Sequence, residues 1–271
     1  MKENSQLLTA HIIVKNEEQW VWYAIQSVLP YVDRLLILDT GSTDDTIKII
    51  KTIKNKKISF DEVGAVDANG LVGLRNKQIE QTRTPWFVIV DGDEVWRGED
   101  LKNIRNQLAD LDKKIMACFV RTNNCVGDLW HIQPQSAGKY QIAGEKGHLN
   151  IRFFRIDPQH KWRGTYPLEA YSDSAGNKVN DNSDKLHFFD VAYWHMTHMT
   201  RSRVRESETV ARIGKKKYEI GIKIDKNLLP EAFSLKRPSI VPSPWVKPSK
   251  MDIANSFWQT PIKILKRKIT K

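Results

Sequence analysis

Cysteine is almost missing from this chain: its 271 residues hold only Cys118 and Cys125. Two thiols make neither a zinc set nor a disulfide framework, and they fit a reducing, cytoplasmic setting. Long apolar runs are missing too, since no stretch approaches the roughly 20 residues of a membrane-spanning helix. The opening Met1-Lys2-Glu3-Asn4-Ser5-Gln6 leads into a run interrupted by His11 and Lys15, so no signal peptide is expected. Internal repeats and low-complexity tracts do not occur. An early glycine-rich phosphate loop is also absent, which counts against a nucleotidyltransferase. A soluble chain is expected, or one at most peripheral to the cytoplasmic face of a membrane.

What is present is an ordinary globular composition, 40% hydrophobic and 28% charged, with 43 Lys+Arg against 32 Asp+Glu. The formal charge of +11 favours anionic partners such as nucleotides, lipid phosphates or acidic surfaces. Nucleic acid is not expected: its binders cluster lysines with stacking aromatics on a recognised module, and here the clustered residues are acidic. The acidic cluster closes the run Trp86-Phe87-Val88-Ile89-Val90-Asp91-Gly92-Asp93-Glu94. Five consecutive apolar residues read as a strand buried on both faces, as in parallel sheets. Ligands of such sheets gather outside the carboxyl ends of the strands. Asp91 and Asp93, two apart, can point to a shared space there. Two hard oxygen ligands suit Mg²⁺ or Mn²⁺ carrying a substrate diphosphate. Taken alone, the same residues also read as an acidic turn.

The preceding chain alternates strand and helix. Strands are expected over residues 7–14, 34–39 and 57–63, with helices over 17–29, 46–53 and 74–81 and a glycine-containing loop over 64–73. This is the βαβ pattern of a parallel sheet with helices on both faces. Asn16, Asp39 and the Asp91/Asp93 pair stand at successive strand ends. Further on, a helix is expected over 99–111, strands over 115–121 and 150–155, and an excursion across the sheet edge over 123–147.

Four segments, Ile12-Ile13-Val14-Lys15-Asn16-Glu17, Leu38-Asp39-Thr40-Gly41-Ser42-Thr43-Asp44-Asp45-Thr46, Arg75-Asn76 and Val90-Asp91-Gly92-Asp93, resemble family 2 glycosyltransferases of the GT-A fold in order and spacing. The resemblance covers about the first 95 residues well and the next hundred more loosely. Thr40 departs from it, standing where many relatives carry a second acidic residue. The resemblance implies a Rossmann-like three-layer α/β/α sandwich with a mostly parallel central sheet, followed by a C-terminal helix and extended tail. It divides the chain into a GT-A domain over 1–200 and a basic helix with a Pro-rich tail over 201–271. Within the domain, 1–95 would be the nucleotide-binding half and 96–200 the acceptor-binding half.

The implied activity is an inverting, metal-dependent transfer of a hexose-like sugar from a UDP- or GDP-linked donor to a hydroxyl on a glycan or lipid-linked acceptor. Asn16, Asp39, Arg75 and Asp91 would serve the nucleotide, with Asp39 against the base. Asp93, Asp91 and a late histidine, His195, would hold Mn²⁺ or Mg²⁺. Glu169, in Trp162-Arg163-Gly164-Thr165-Tyr166-Pro167-Leu168-Glu169, would be the general base; an exposed strand-end glutamate is the plainer alternative. His198 is the runner-up for the metal and, three residues from His195, is expected on the same side of a helix or turn. His187 reads as a strand or core histidine. Residues 201–219 read as a basic helix, most of whose charges face solvent, with one or more arginines available to phosphate. The end of the tail, from Phe257, mixes apolar and basic residues as interfacial helices do; packing on its own domain or on a second subunit, as in a homodimer, fits equally. A non-catalytic GT-A-like nucleotide-sugar binding module is the other reading that keeps the fold.

Overall fold

Apolar residues on both faces of the central strands set the architecture. Trp86, Val88 and Val90 point into one buried cluster, while Phe87 and Ile89 point into another on the opposite face. A strand of this kind must be covered by helices on both sides. The computed structural model of the protein describes residues 6–204 and 217–269. In its first part, strands β1 (Leu8–Val14), β2 (Arg34–Asp39), β3 (Ile58–Glu62) and β4 (Trp86–Ile89) alternate with helices α1 (Val21–Val28), α2 (Thr46–Thr52) and α3 (Ala68–Gln81). The order β4-β1-β2-β3 is parallel throughout.

Beyond it lie β5 (Glu94–Val95), α4 (Gly98–Asp110), β6 (Ala117–Val126), β7 (Asp128–Ile132), β8 (Tyr140–Ile142), β9 (Glu145–Gly147) and β10 (Leu149–Arg155). They are followed by β11 (Lys161–Arg163), β12 (Ala170–Ser172), β13 (Leu186–His195), β14 (Ile222–Lys223) and α5 (Lys250–Ile269). β10 inserts antiparallel between β4 and β6, β13 runs parallel to β6, and β5 pairs antiparallel with β13. The sheet is therefore mixed beyond β4. One core cluster holds Val21 and Ile25 of α1, Ile49 of α2, and Leu101 and Ile104 of α4; the other holds Val72 of α3 with Trp162 and Tyr171 of the β11–β12 hairpin. Three layers result.

Several local expectations need correction. α3 begins at Ala68, not near residue 74, because the Asp67 side chain caps it by accepting from Gly70 N at 2.7 Å. Gly70 there serves packing: a Cβ would lie 2.8 Å from Val66 Cβ. α1 starts at Val21, since residues 17–20 form a turn in which Trp20 N and Val21 N both donate to Glu17 O. The 123–147 excursion holds the end of β6 and three short strands. The basic helix expected over 201–219 lies mostly outside the described residues, and its described ends, 201–204 and 217–219, are not helical. The Pro-rich stretch packs on the domain: Phe233 and Val241 join the main core, and Tyr23 Oη donates to Pro242 O at 2.7 Å.

Candidate active site

The carboxyl ends of β1 and β2 are in register, Val14 beside Asp39, which brings their following loops together. Asp39 is buried, and its Oδ1 accepts from Gly41 N and Ser42 N at 2.9 and 2.8 Å while Oδ2 accepts from Ser42 Oγ. Gly41 has φ +86°, and a Cβ would stand 3.0 Å from Ala65 N, so this turn requires glycine. Asn16 takes the left-handed conformation (φ 52°), tolerable for asparagine. Its Oδ1 accepts from Thr43 N and Asp44 N, and its own N–H donates to Ser42 Oγ. Asn16 and Asp39 thus clamp the 40–45 turn from both sides, with their polar atoms already engaged inside the protein.

At the end of β4, Gly92 is forced by a close approach: a Cβ would meet Glu17 Cγ at 2.8 Å and Val14 Cγ1 at 3.0 Å. Asp93, the next residue, is buried. Its Oδ1 lies 3.4 Å from His195 Nε2 and its Oδ2 3.7 Å from Arg201 Nη1. Arg201 also pairs with Glu17 Oε1 at 2.8 Å. Asp91 is more open, its side chain 43% exposed, and meets Arg152 Nη2 at 3.2 Å. Arg152 also makes a short ion pair with Glu94, which is fully buried, and donates to Tyr193 Oη.

Electrostatics follow from this crowding. Burial raises the Glu94 carboxyl to about 7, with Arg152 opposing and Asp91 adding to the rise. Against desolvation, Arg152 holds the Asp91 carboxyl below the usual carboxylate range. Burial would push His195 down, but Asp93, Glu94 and Asp91 raise it above the ordinary imidazole value. Among the described residues no group of three His, Cys, Asp or Glu side chains is arranged to hold a metal alone. An open carboxylate at Asp91 beside the Asp93–His195 pair does fit a Mg²⁺ or Mn²⁺ that keeps substrate phosphates and water in its shell.

Glu169 closes the other side. The loop after β11 holds it so that Arg75 Nε donates to its Oε1 at 3.1 Å, with its side chain 8% exposed. Its Oε2 is buried and has no hydrogen-bond partner. Arg75 also lies over the Trp162 ring, 5.3 Å from its centroid, and acts electrostatically on Asp91. Next to it, Asn76 locks the hairpin by exchanging two hydrogen bonds, 3.0 and 2.9 Å, with the Trp162 backbone. The sequence pair Arg75-Asn76 therefore positions the Glu169 loop. His195 ends β13, whereas His198 lies in the turn beyond and does not share its face on a helix. His198 instead lines a cavity of about 500 Å³ with His131, Met199, Tyr218, Ile253 and Ser256. His187 is a strand histidine set edge-on to Phe189.

The sequence model for glycosyl transferase family 2 matches residues 9–178. The chain belongs to glycosyltransferase family 2. The SPbeta prophage-derived glycosyltransferase SunS of Bacillus subtilis (strain 168) is 28% identical over 120 residues, 44% of this chain and 28% of SunS. An uncharacterized glycosyltransferase of Rickettsia typhi (strain ATCC VR-144 / Wilmington) is 33% identical over 87 residues, 32% of this chain and 28% of that protein. The matches thus span little more than a quarter of these relatives. Among solved structures, S. aureus TarS 1-349 in complex with UDP-GlcNAc superposes with a TM-score of 0.51 at 16% identity, covering 74% of this chain and 60% of that one. That likeness places the fold as GT-A.

The family 2 match takes in Asn16, Asp39, Arg75, Asp91, Asp93 and Glu169, while His195 lies beyond it. Sequence reasoning missed Arg152 and Glu94 altogether. A charged residue inside the otherwise apolar-rich strand Leu149–Arg155 was the available signal for Arg152. Glu94 was hidden by its place in what reads as an acidic turn.

Proposed function

We propose that the chain transfers a sugar from a nucleoside diphosphate sugar to an acceptor hydroxyl with inversion. The observation that carries this reading is Glu169: one carboxylate oxygen is held by Arg75 and the other is buried, unpartnered and available to take a proton. The acceptor oxygen attacks the anomeric carbon, its proton passes to Glu169 Oε2, and the bond to the diphosphate oxygen breaks on the opposite face. Single displacement inverts the centre. A positioned base of this kind contributes ~10²–10⁴ in rate. Asp93, with Asp91 and His195, would hold Mn²⁺ or Mg²⁺, which when bound supplies Lewis-acid neutralisation of the charge building on the diphosphate. His195, whose pKa burial lowers and Asp93 chiefly raises, would hold the ion as a neutral imidazole.

The turn clamped by Asn16 and Asp39 would face the nucleobase, and Arg75 would serve both the nucleotide side and the base. TarS was solved with UDP-GlcNAc, which makes a UDP-sugar the first donor to test, with GDP-sugars second. The cavity lined by His198, which follows His195 by three residues in the chain, is the candidate acceptor site, for a glycan or the head of a lipid-linked acceptor. Division into a transferase domain over 1–200 and an accessory 201–271 belongs to the same proposal. The experiment is a panel of nucleotide sugars with Mn²⁺, Mg²⁺ or EDTA, read by thermal shift and nucleotide release. Metal-dependent release is expected. Donor binding without release under any condition would leave a non-catalytic nucleotide-sugar module.

A further inference from the structure

Helix α5 is docked the wrong way round for a helix of a water-soluble domain. Its twenty residues span about 30 Å and are amphipathic, and such helices ordinarily turn the apolar stripe to the core. Here the polar side faces inward. Thr260 Oγ1 accepts from Ile220 N at 3.0 Å, and Lys263 Nζ donates to Tyr218 O at 2.8 Å. Arg267 forks onto the buried Glu219 carboxylate at 2.5 and 2.8 Å. Ser256, Thr260, Lys263 and Arg267 follow one another at steps of four, three and four, which is one side of a helix. Trp258, Ile262, Leu265 and Ile269 follow the same steps on the opposite side.

That opposite side is bare. Met251, Phe257, Trp258, Ile262, Leu265 and Ile269 are between 56% and 75% exposed, and no residue of α5 is buried. Scattered exposed apolar residues need no explanation, but a contiguous stripe of aromatic and aliphatic side chains along one helix does. The stripe is flanked by charge of one sign. Lys250 and Lys268 stand at its two ends, and the single acidic residue of the helix, Asp252, is turned to the inner side, where it lines the cavity beside Ile253 and Ser256.

We propose that α5 lies in the interface of an anionic lipid bilayer, apolar stripe inward to the acyl boundary and lysines among the headgroups. Charge decides the occupant. A second copy of this chain would bring another +11 and another pair of lysines against this face, with no carboxylate on the outer side of α5 to receive them. A surface of lipid phosphates answers both the stripe and the lysines, because interfacial helices bind through buried apolar area plus attraction to anionic headgroups. The ion pair and hydrogen bonds to residues 218–220 fix the helix to the body, so the whole chain would be held at the membrane. No helix of the described residues is long and apolar enough to cross it. This inference does not depend on the transfer reading, since its readout is vesicle binding alone.

The test is flotation of the full chain with phosphatidylcholine vesicles, with and without phosphatidylglycerol. Wild type is expected to float with the anionic vesicles and much less with the neutral ones, and to release as salt screens the lysines. The double variant Phe257→Glu/Trp258→Glu should lower the partition coefficient by more than about tenfold. Its inner contacts are untouched, so its thermal melt should match wild type. Lys250→Glu/Lys268→Glu is the second variant and should lose the preference for anionic vesicles. Absence of flotation by wild type, or equal flotation of the aromatic variant, would overturn the proposal. A wild-type dimer that the aromatic variant dissolves, with no vesicle binding, would also overturn it in favour of a second copy.

Discussion

The two halves of the site are held together by different physics. On the β1–β2 side, Asn16 and Asp39 spend their polar atoms on backbone N–H groups of the 41–44 turn. Every partner lies on the two adjacent strand-end loops, and the turn is set before any ligand arrives. On the β4–β13 side, charges hold charges: Arg152 with Glu94 and Asp91, Arg201 with Glu17 and Asp93, Arg75 with Glu169. These partners come from segments far apart in sequence. Local turn chemistry makes a pre-set loop, whereas paired charges across distant elements can rearrange when a charged ligand binds among them. Under the proposed function, nucleotide recognition would fall to the first half and reaction to the second.

Breaking the charged half should have the larger consequence for stability. Arg152→Met leaves Glu94 buried and uncompensated, and should cost about 3–5 kcal/mol in urea unfolding. Adding Glu94→Gln should recover most of that loss; if it does not, the pair is not what Arg152 stabilises. Gly92→Ala probes the seam between the halves. Its Cβ would overlap Glu17 Cγ at 2.8 Å, an overpacking expected to cost about 1–3 kcal/mol by the same measurement.

The first half carries a different acid response. His11 of β1 is stacked on Phe87 with Nε2 2.6 Å from Thr82 Oγ1, and burial, assisted by Arg75, lowers it to about 3. The unfolded chain takes up a proton near pH 6.5 that the folded chain refuses until about 3. Stability is therefore full above the unfolded value and falls as pH drops below it, by up to about 2 kcal/mol between pH 7 and 5. His148, lowered to about 4 by burial first, adds the same sign. His11→Asn should flatten part of this slope in urea midpoints measured across that range; an unchanged slope would remove His11 from the account. Smallest is Ser42→Ala, which deletes the hydroxyl that donates to Asp39 Oδ2 and accepts from Asn16 N, and should cost about 1–2 kcal/mol in urea unfolding. A much larger loss would show that the turn is not held chiefly by backbone groups.

This contrast also explains what could be read from the chain. β2 was legible to the residue because an apolar run buried on both faces ends in a polar residue, and β4 was legible nearly as well. The Asp39–Thr46 segment and the Asp91–Asp93 pair stood out through the family resemblance, while alone the pair also read as an acidic turn. α3 began earlier than expected because Gly70 and Gly73 resemble loop residues, while the helix start was fixed by the Asp67 cap. Arg152 and Glu94 escaped because their partnership joins β10 to β5 through the fold, and no spacing in the chain announces it. The inward polar face of α5 was equally invisible, since amphipathicity gives a helix two faces without saying which one docks.

The most direct measurement of the central claim is the turnover of Glu169→Gln against its donor affinity, once the donor panel has supplied a substrate. The account predicts a fall in kcat of ~10²–10⁴ with donor Kd and melting temperature unchanged, because the glutamine keeps Arg75 company but cannot take the proton. Wild-type turnover by that variant would contradict the assignment of the base.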